Sequence, residues 1–191
     1  EAKRLGLANT HFTNSTGLPD PKLYSTAADM ILLAAALIRD HPEYYPLYSL
    51  KEYTYNKIKQ PNRNRLLWSD PTVDGMKTGH TKSAGWCLVS SSKRGERRLV
   101  SVVLGADSAS ARAAESQKLL NFGFQFYDTV RLYEKGESVA SLRVWKGAAD
   151  TLDAGFERDL YFTLPKGQAD KLKATLESQQ PLVAPVAAGQ R

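Results

Sequence analysis

Residues 73–86 read VDGMKTGHTKSAGW. Within them Lys77, Thr78 and Gly79 place a cation, a hydroxyl and a bare backbone side by side, a set suited to gripping a substrate carboxylate. A histidine, His80, and a second hydroxyl, Thr81, follow just before a predicted strand. Such a grip normally serves a nucleophile held elsewhere, so the serines are the next question. A serine followed three residues later by lysine occurs once, at Ser90-Ser91-Ser92-Lys93, at the end of a strand entering a polar hairpin. Side chains at i and i+3 meet on a helix and point to opposite faces of a strand, which rules this pair out as nucleophile and base. Neither Ser-x-Asn nor Tyr-x-Asn occurs. Metal chemistry has little to draw on. Cys87 is the sole cysteine, in an apolar run that reads as a buried, inert thiol. His11, His41 and His80 match no metal-ligand spacing, and the first two read as turn or surface residues.

The elements that must position this stretch can be read from pattern. ADMILLAAALI, residues 28–38, is too short to cross a bilayer, which needs roughly 20 apolar residues. Thr26 and Asp29 form a capping box ahead of it and Asp40-His41-Pro42 end it, so it reads as a buried core helix over 26–40. Residues 1–8 resemble the end of a helix, and 9–25 are a loop rich in Asn, Thr, Ser, Gly and Pro. A tyrosine-rich run, Tyr44, Tyr45, Tyr48, Tyr53 and Tyr55, reads as core aromatics, with 52–56 alternating as a strand does. From residue 76 the pattern is β. Gly85–Ser91 and Arg97–Gly105 are joined by a polar turn, and the strand carrying Lys77-Thr78-Gly79 pairs beside them, giving three antiparallel strands. Residues 108–127 have helical period, with Ala111, Ala114, Lys118 and Leu119 on one side and Phe122 and Phe126 continuing it. The helix is expected to lie over the sheet. After Asp128, short alternating segments between Gly and Asp turns predict a small all-β domain, with the boundary at 128–133.

The whole chain has 191 residues, 42% of them apolar and 24% charged, which is a globular composition. A net charge of +6 and a pI near 9.4 suit an anionic partner such as nucleic acid, acidic phospholipid or carboxylate-rich cell-wall material, and equally a mildly basic surface with no partner. Nucleic acid is the weakest of these, because the Lys and Arg residues are scattered and no reader motif is present. The opening EAKRLGLANT has no initiator methionine and starts as if in mid-element, which marks the chain as a piece of something longer.

Lys-Thr-Gly alone is a weak motif, but its surroundings are specific. RLGLANTHFTNSTGL, STAADMILLAAALIRD, NRNRLLW at 62–68, VDGMKTGHT at 73–81, AGWCLVSS at 84–91, ARAAESQKLLNFGFQFYDTV at 111–130 and ERDLYFTLPKG at 157–167 occur in this order. Together they resemble the low-molecular-mass penicillin-binding proteins, the serine D-alanyl-D-alanine carboxypeptidases of bacterial cell walls, over essentially the whole chain. The resemblance implies an α/β (α+β) penicillin-binding, β-lactamase-like fold, here partial, with an antiparallel sheet flanked by helices. It implies residues 1–128 as the C-terminal part of the catalytic domain and 129–191 as the start of a small β-rich accessory domain, its later strands absent.

The family's reaction uses Ser-x-x-Lys, Ser-x-Asn and Lys-Thr-Gly; the serine attacks the carbonyl between two terminal D-alanines, and water hydrolyses the resulting acyl-enzyme. Penicillins imitate the dipeptide and stop at the acyl stage. By resemblance, Lys77 is catalytic and substrate-binding, Thr78 donates to the substrate carboxylate, and Gly79 lets the peptide lie against the strand. The His80 backbone N–H is an oxyanion donor and Thr81 helps bind. Arg63 and Arg112 stand where the family has arginines at the cleft, a salt-bridge role at the surface being the alternative for each. The first two family motifs precede the stretch that Glu1 begins, so the nucleophile is expected upstream and the isolated chain is expected to be inactive. The implied partners are peptidoglycan stem peptides ending in D-Ala-D-Ala and β-lactams, with no metal or other cofactor and no nucleic acid. The implied location is the periplasm, peripheral on the outer face of the inner membrane, through a C-terminal anchor that this chain lacks. A β-lactamase is disfavoured by the following β segment. A D,D-endopeptidase, or a non-catalytic cell-wall peptide-binding module, remains an alternative.

Overall fold

The computed structural model describes residues 1–178 and 181–189; the other four residues of the expected accessory domain lie outside the described residues. The chain divides into two units, 1–125 and 126–191.

The first unit is built on an antiparallel sheet with helices on both faces. Helix α1 spans Ala27–Asp40, and Thr26 caps it by accepting from the Asp29 N–H at 3.2 Å. The Asp29 carboxylate is drawn away from the cap to hold the preceding loop, accepting from Asn9 N at 2.8 Å and Thr10 Oγ1 at 2.6 Å. A 3-10 turn at Tyr45–Ser49 leads to a hairpin of β1 (Glu52–Tyr55) and β2 (Ile58–Pro61). Its turn is Asn56-Lys57, both at positive φ as a two-residue turn of this hand requires. The short helix α2 (Leu66–Ser69) precedes the three-stranded sheet of β3 (Val73–Thr81), β4 (Gly85–Arg94) and β5 (Arg97–Ala106), in the order β3-β4-β5. This is the antiparallel group expected, but β4 and β5 run further, so that Gly95-Glu96 alone makes the turn. Ser90 and Lys93 lie on β4, as the rejection of that pair supposed.

Two apolar clusters fix the layers. On one face, Leu88 packs with Leu66, Leu67, Val73 and Leu120, the last from α3 (Ala109–Phe126). On the other, Ala34 of α1, Tyr45 and Met76 pack with Val89 and Val100. Five expectations need correction. The helix α1 is not buried all round, since Ile31 and Leu32 are 42% and 46% exposed. The α3 face is turned by one residue: Arg112, Ser116 and Leu120 are buried, whereas Leu119, Phe122 and Phe126 are about half exposed. Of these tyrosines only Tyr45 is buried; Tyr44, just ahead of the 3-10 turn, is exposed, and Tyr53 and Tyr55 are exposed because the β1–β2 hairpin buries neither face. Residues 1–8 form successive turns, not helix. Cys87 is half-buried, its thiol against the Ala84 carbonyl at 3.5 Å.

Among the described residues, the regular structure of the second unit is β apart from one 3-10 turn. Strands β6 (Tyr127–Tyr133) and β9 (Leu160–Pro165) pair antiparallel. Strand β7 (Ser138–Trp145) pairs antiparallel with β8 (Thr151–Gly155) and parallel with β10 (Leu182–Val183). No helix among the described residues is long and apolar enough to cross a membrane.

Candidate active site

Lys77, Thr78 and Gly79 lie in the middle of β3, an edge strand of its sheet. The first half of β3 is held tightly. Asn64 is buried and donates through Nδ2 to the Gly75 carbonyl at 2.9 Å, where Ser90 Oγ also donates at 3.2 Å. Gly75 makes room for Tyr45, since a Cβ there would sit 2.5 Å from the tyrosine hydroxyl. That hydroxyl donates to Asp74 Oδ1 at 3.2 Å, and Arg98 pairs with the same carboxylate at 2.7 Å. Burial, with the Asp74 charge beside it, pushes the Tyr45 phenol up to about 12, against smaller opposing effects of Ser91 and Arg98. It remains a neutral donor throughout the physiological range.

Beyond this anchor the strand is exposed. The Lys77 ammonium reaches the Thr78 carbonyl at 2.6 Å and has no carboxylate partner among the described residues. Thr78 and His80 pair with Leu88 and Trp86 across the sheet, and Lys77 and Gly79 with Val89 and Cys87. At Gly79 an added Cβ would make only an ordinary contact, 3.6 Å from Cys87 Cβ. The fold therefore does not itself demand glycine there, and the requirement falls on whatever lies against the strand. Thr81 Oγ1 closes the turn after β3 by accepting from Ala84 N at 3.0 Å.

The two arginines behave differently. Arg112 is 3% exposed and donates from Nη1 to the carbonyls of Gly79 at 3.0 Å and Cys87 at 3.3 Å, tying α3 to β3 and β4. Its guanidinium lies 5.0 Å from the centre of the Trp86 ring, and His80 stacks on the same indole at 3.8 Å with planes 13° apart. Burial, along with the positive charges of Arg65 and Arg63, lowers its affinity for its proton, while Cys87 acts in the opposite sense. Arg63 is exposed and free of ion pairs among the described residues. The alternation in Asn62-Arg63-Asn64 explains its position. Asn62 donates to the Leu50 carbonyl at 2.9 Å, Asn64 to that of Gly75, and the residue between them is turned outward. The structure thus places Lys77, Thr78, Gly79, His80 and Thr81 on one strand and brings Arg112 onto it. Arg63 enters only through its neighbour Asn64 and its electrostatic reach to Arg112. Sequence reasoning missed Asn64, Arg65 and Trp86. The asparagine alternation was a signal for the first; nothing local marked Trp86, whose role comes from cross-strand pairing with His80.

Lys77, Arg63, Arg65 and Arg112 give this edge a positive field, and the exposed strand offers backbone groups to an extended peptide. An anionic peptide terminus suits it. Among the described residues no group of three or more His, Cys, Asp or Glu side chains is placed to hold a metal.

Two family models match the chain. Residues 1–108 match the D-alanyl-D-alanine carboxypeptidase family and residues 127–191 the penicillin-binding protein 5 C-terminal domain. The D-alanyl-D-alanine carboxypeptidase DacC of Escherichia coli is 48% identical over 191 residues, covering 99% of this chain and 48% of that protein. Penicillin-binding protein 5 of Haemophilus influenzae superimposes with a TM-score of 0.93 at 45% identity, over 99% of this chain and 56% of that one. Penicillin-binding protein D2 of Listeria monocytogenes, solved with cefotaxime bound, has a TM-score of 0.61 at 38% identity, over 65% of this chain and 52% of that one. The chain spans about half the length of the curated relatives it matches.

Proposed function

The chain belongs to the D-alanyl-D-alanine carboxypeptidase family, and on that premise we propose that it supplies the substrate-binding edge of a serine carboxypeptidase that removes the terminal D-alanine from peptidoglycan stem peptides in the periplasm. The observation that carries the reading is the exposed Lys77-Thr78-Gly79 edge, backed by a buried arginine and free of any internal need for glycine. An extended peptide adds to the edge as a further strand. The Thr78 hydroxyl donates to its terminal carboxylate, with the exposed Arg63 adding positive charge to the cleft. The His80 backbone N–H faces the carbonyl of the scissile bond and stabilises the oxyanion of the tetrahedral intermediate. Loss of such a donor costs on the order of 100- to 1000-fold in rate. Lys77 places its ammonium where the proton leaving the nucleophile is handled and where an anionic substrate is drawn in. Arg112 acts at one remove, as a positioning residue that fixes the Gly79 and Cys87 carbonyls and the Trp86–His80 stack.

The nucleophilic serine and its lysine belong, in this reading, to the half of the protein that its relatives have and this chain does not include. β-Lactams acylate that serine while lying along β3. The test is release of D-alanine from an acyl-D-Ala-D-Ala peptide by a protein joining this chain to that half. Lys77→Ala is expected to lower kcat/KM at least about 100-fold, the scale of a lost catalytic proton-transfer group. An undiminished rate in that variant, or no D-alanine release by the parent, would overturn the assignment.

A further inference from the structure

Strand β3 carries one residue more than its partner can match. Val73 pairs with Ser92 and Gly75 with Ser91, so Asp74 stands opposite nothing on β4 and the ladder bulges there. From Gly75 the pairing runs on to Thr81 and puts Lys77 opposite Val89, Thr78 opposite Leu88 and Gly79 opposite Cys87. Were Asp74 drawn into the ladder, everything after it would move one place along β4. Lys77 would then face Leu88, and Thr78 would face Cys87. A slip of one residue turns every side chain of a strand to the other face. The bulge ahead of Lys77 therefore decides which groups the exposed edge presents.

One arginine reaching across the sheet holds the extra residue in place. Arg98 stands on β5 and donates from Nη1 to Ser91 Oγ on β4 at 2.5 Å and to Asp74 Oδ1 on β3 at 2.7 Å. Its Nη2 lies 2.7 Å from Asp74 Oδ2, so the carboxylate is gripped by both prongs. Ser91 is the partner of Gly75, the first residue after the bulge. Tyr45 closes the arrangement, its hydroxyl donating to Asp74 and its ring centre 5.1 Å from the guanidinium carbon. The Arg98 and Asp74 side chains are 26% and 32% exposed and border a cavity of about 370 Å³, so neither is there to fill the core. A partly exposed ion pair adds little stability, but a forked one fixes geometry.

We propose that Asp74 and Arg98 are positioning residues for the carboxypeptidase reaction, a role that rests on the reading above: by pinning the bulge they set the register in which Lys77, Thr78 and the His80 N–H meet the substrate. Neither touches the substrate. They act through β3, and a displacement of about 1 Å at a catalytic group costs on the order of 100-fold in rate.

Two measurements test this. In the chain by itself, amide hydrogen exchange along β3 should quicken at least about tenfold in Asp74→Ala and in Arg98→Met, while α3 keeps the parent's rates. Unchanged exchange on β3, or an equal rise in every element, would overturn the clamp whatever the reaction proves to be. In the protein completed with its N-terminal half, penicillin acylation separates binding from reaction. The acylation rate constant at saturation should fall at least about tenfold in both variants, with the dissociation constant of the preceding complex changing less. Arg98→Lys, which keeps the charge but not the fork, should fall between the parent and Arg98→Met. Leu7→Ala removes a side chain buried outside both apolar clusters, and should lower the thermal midpoint while acylation proceeds at the parent's rate. Acylation at the parent's rate in Asp74→Ala and Arg98→Met, or the same loss in Leu7→Ala, would overturn the positioning role. Failure of the unaltered completed protein to react with penicillin would overturn the carboxypeptidase reading, and the positioning role with it, but not the clamp that exchange reports.

Discussion

Gly79 has room for a Cβ in this chain, and Arg112, buried behind the same strand, has almost none to move in. The two residues make opposite predictions. Gly79→Ala should fold normally, within about 0.5 kcal/mol of the unaltered chain by urea denaturation. In the completed protein it should slow penicillin acylation at least about tenfold, because the new methyl stands where the ligand backbone approaches. Arg112→Met should instead destabilise the chain itself by about 2 kcal/mol or more, since two carbonyls lose a charged donor. Asp70 adds a prediction in pH. Burial pushes its carboxyl up, but hydrogen bonds from Thr72 and Gln117 and the charge of Arg94 outweigh that and hold it below the usual carboxylate value. A carboxylate with a lowered folded-state pKa contributes stability above its unfolded value, near 3.9, and loses it as pH falls through the folded value. The unaltered chain should therefore lose stability below about pH 4. Asp70→Asn should be less stable at pH 7 by about 1–3 kcal/mol, with the gap narrowing as pH falls below the unfolded carboxylate value in urea titrations.

Among the elements, α3 tests the corrected packing most sharply. Leu120→Ala removes a residue 1% exposed against Leu88 and should cost about 2–5 kcal/mol. Leu119→Ala, half exposed on the next position, should cost under about 1 kcal/mol. Equal costs would contradict the face assignment. The sequence pattern misplaced this face because the buried stripe runs through Arg112 and Ser116, two polar residues that apolar periodicity skips. Their burial is legible only once Arg112 has carbonyls to bond, and those come from strands 25 and 33 residues away along the chain. The three-stranded group was legible from alternation and turn chemistry, since hairpin neighbours pair locally. Tyr53 and Tyr55 were misread for the converse reason. Aromatic alternation identifies a strand, but not whether anything packs on it. The Lys77-Thr78-Gly79 motif was legible because its chemistry is local to one strand. The Trp86–His80 stack and the Tyr45–Asp74–Arg98 clamp were not, because each needs residues that only the fold brings together.

At the scale of the whole molecule, the chain carries two units. The first unit holds a preformed, positively charged strand edge stabilised from behind by α3 and from the side by Asn64 and Tyr45. It holds no serine and lysine arranged on a helix as nucleophile and base: its Ser-x-x-Lys is strand, with Ser90 fully buried. In the proposed reading, binding edge and nucleophile reside in different segments of one protein. Covalent labelling by a fluorescent penicillin tests it directly. The chain of 191 residues by itself should take no label after denaturing electrophoresis, and the same chain joined to the N-terminal half found in its relatives should be labelled at a serine of that half. Stoichiometric labelling of the isolated chain would place a nucleophile within it and overturn that separation.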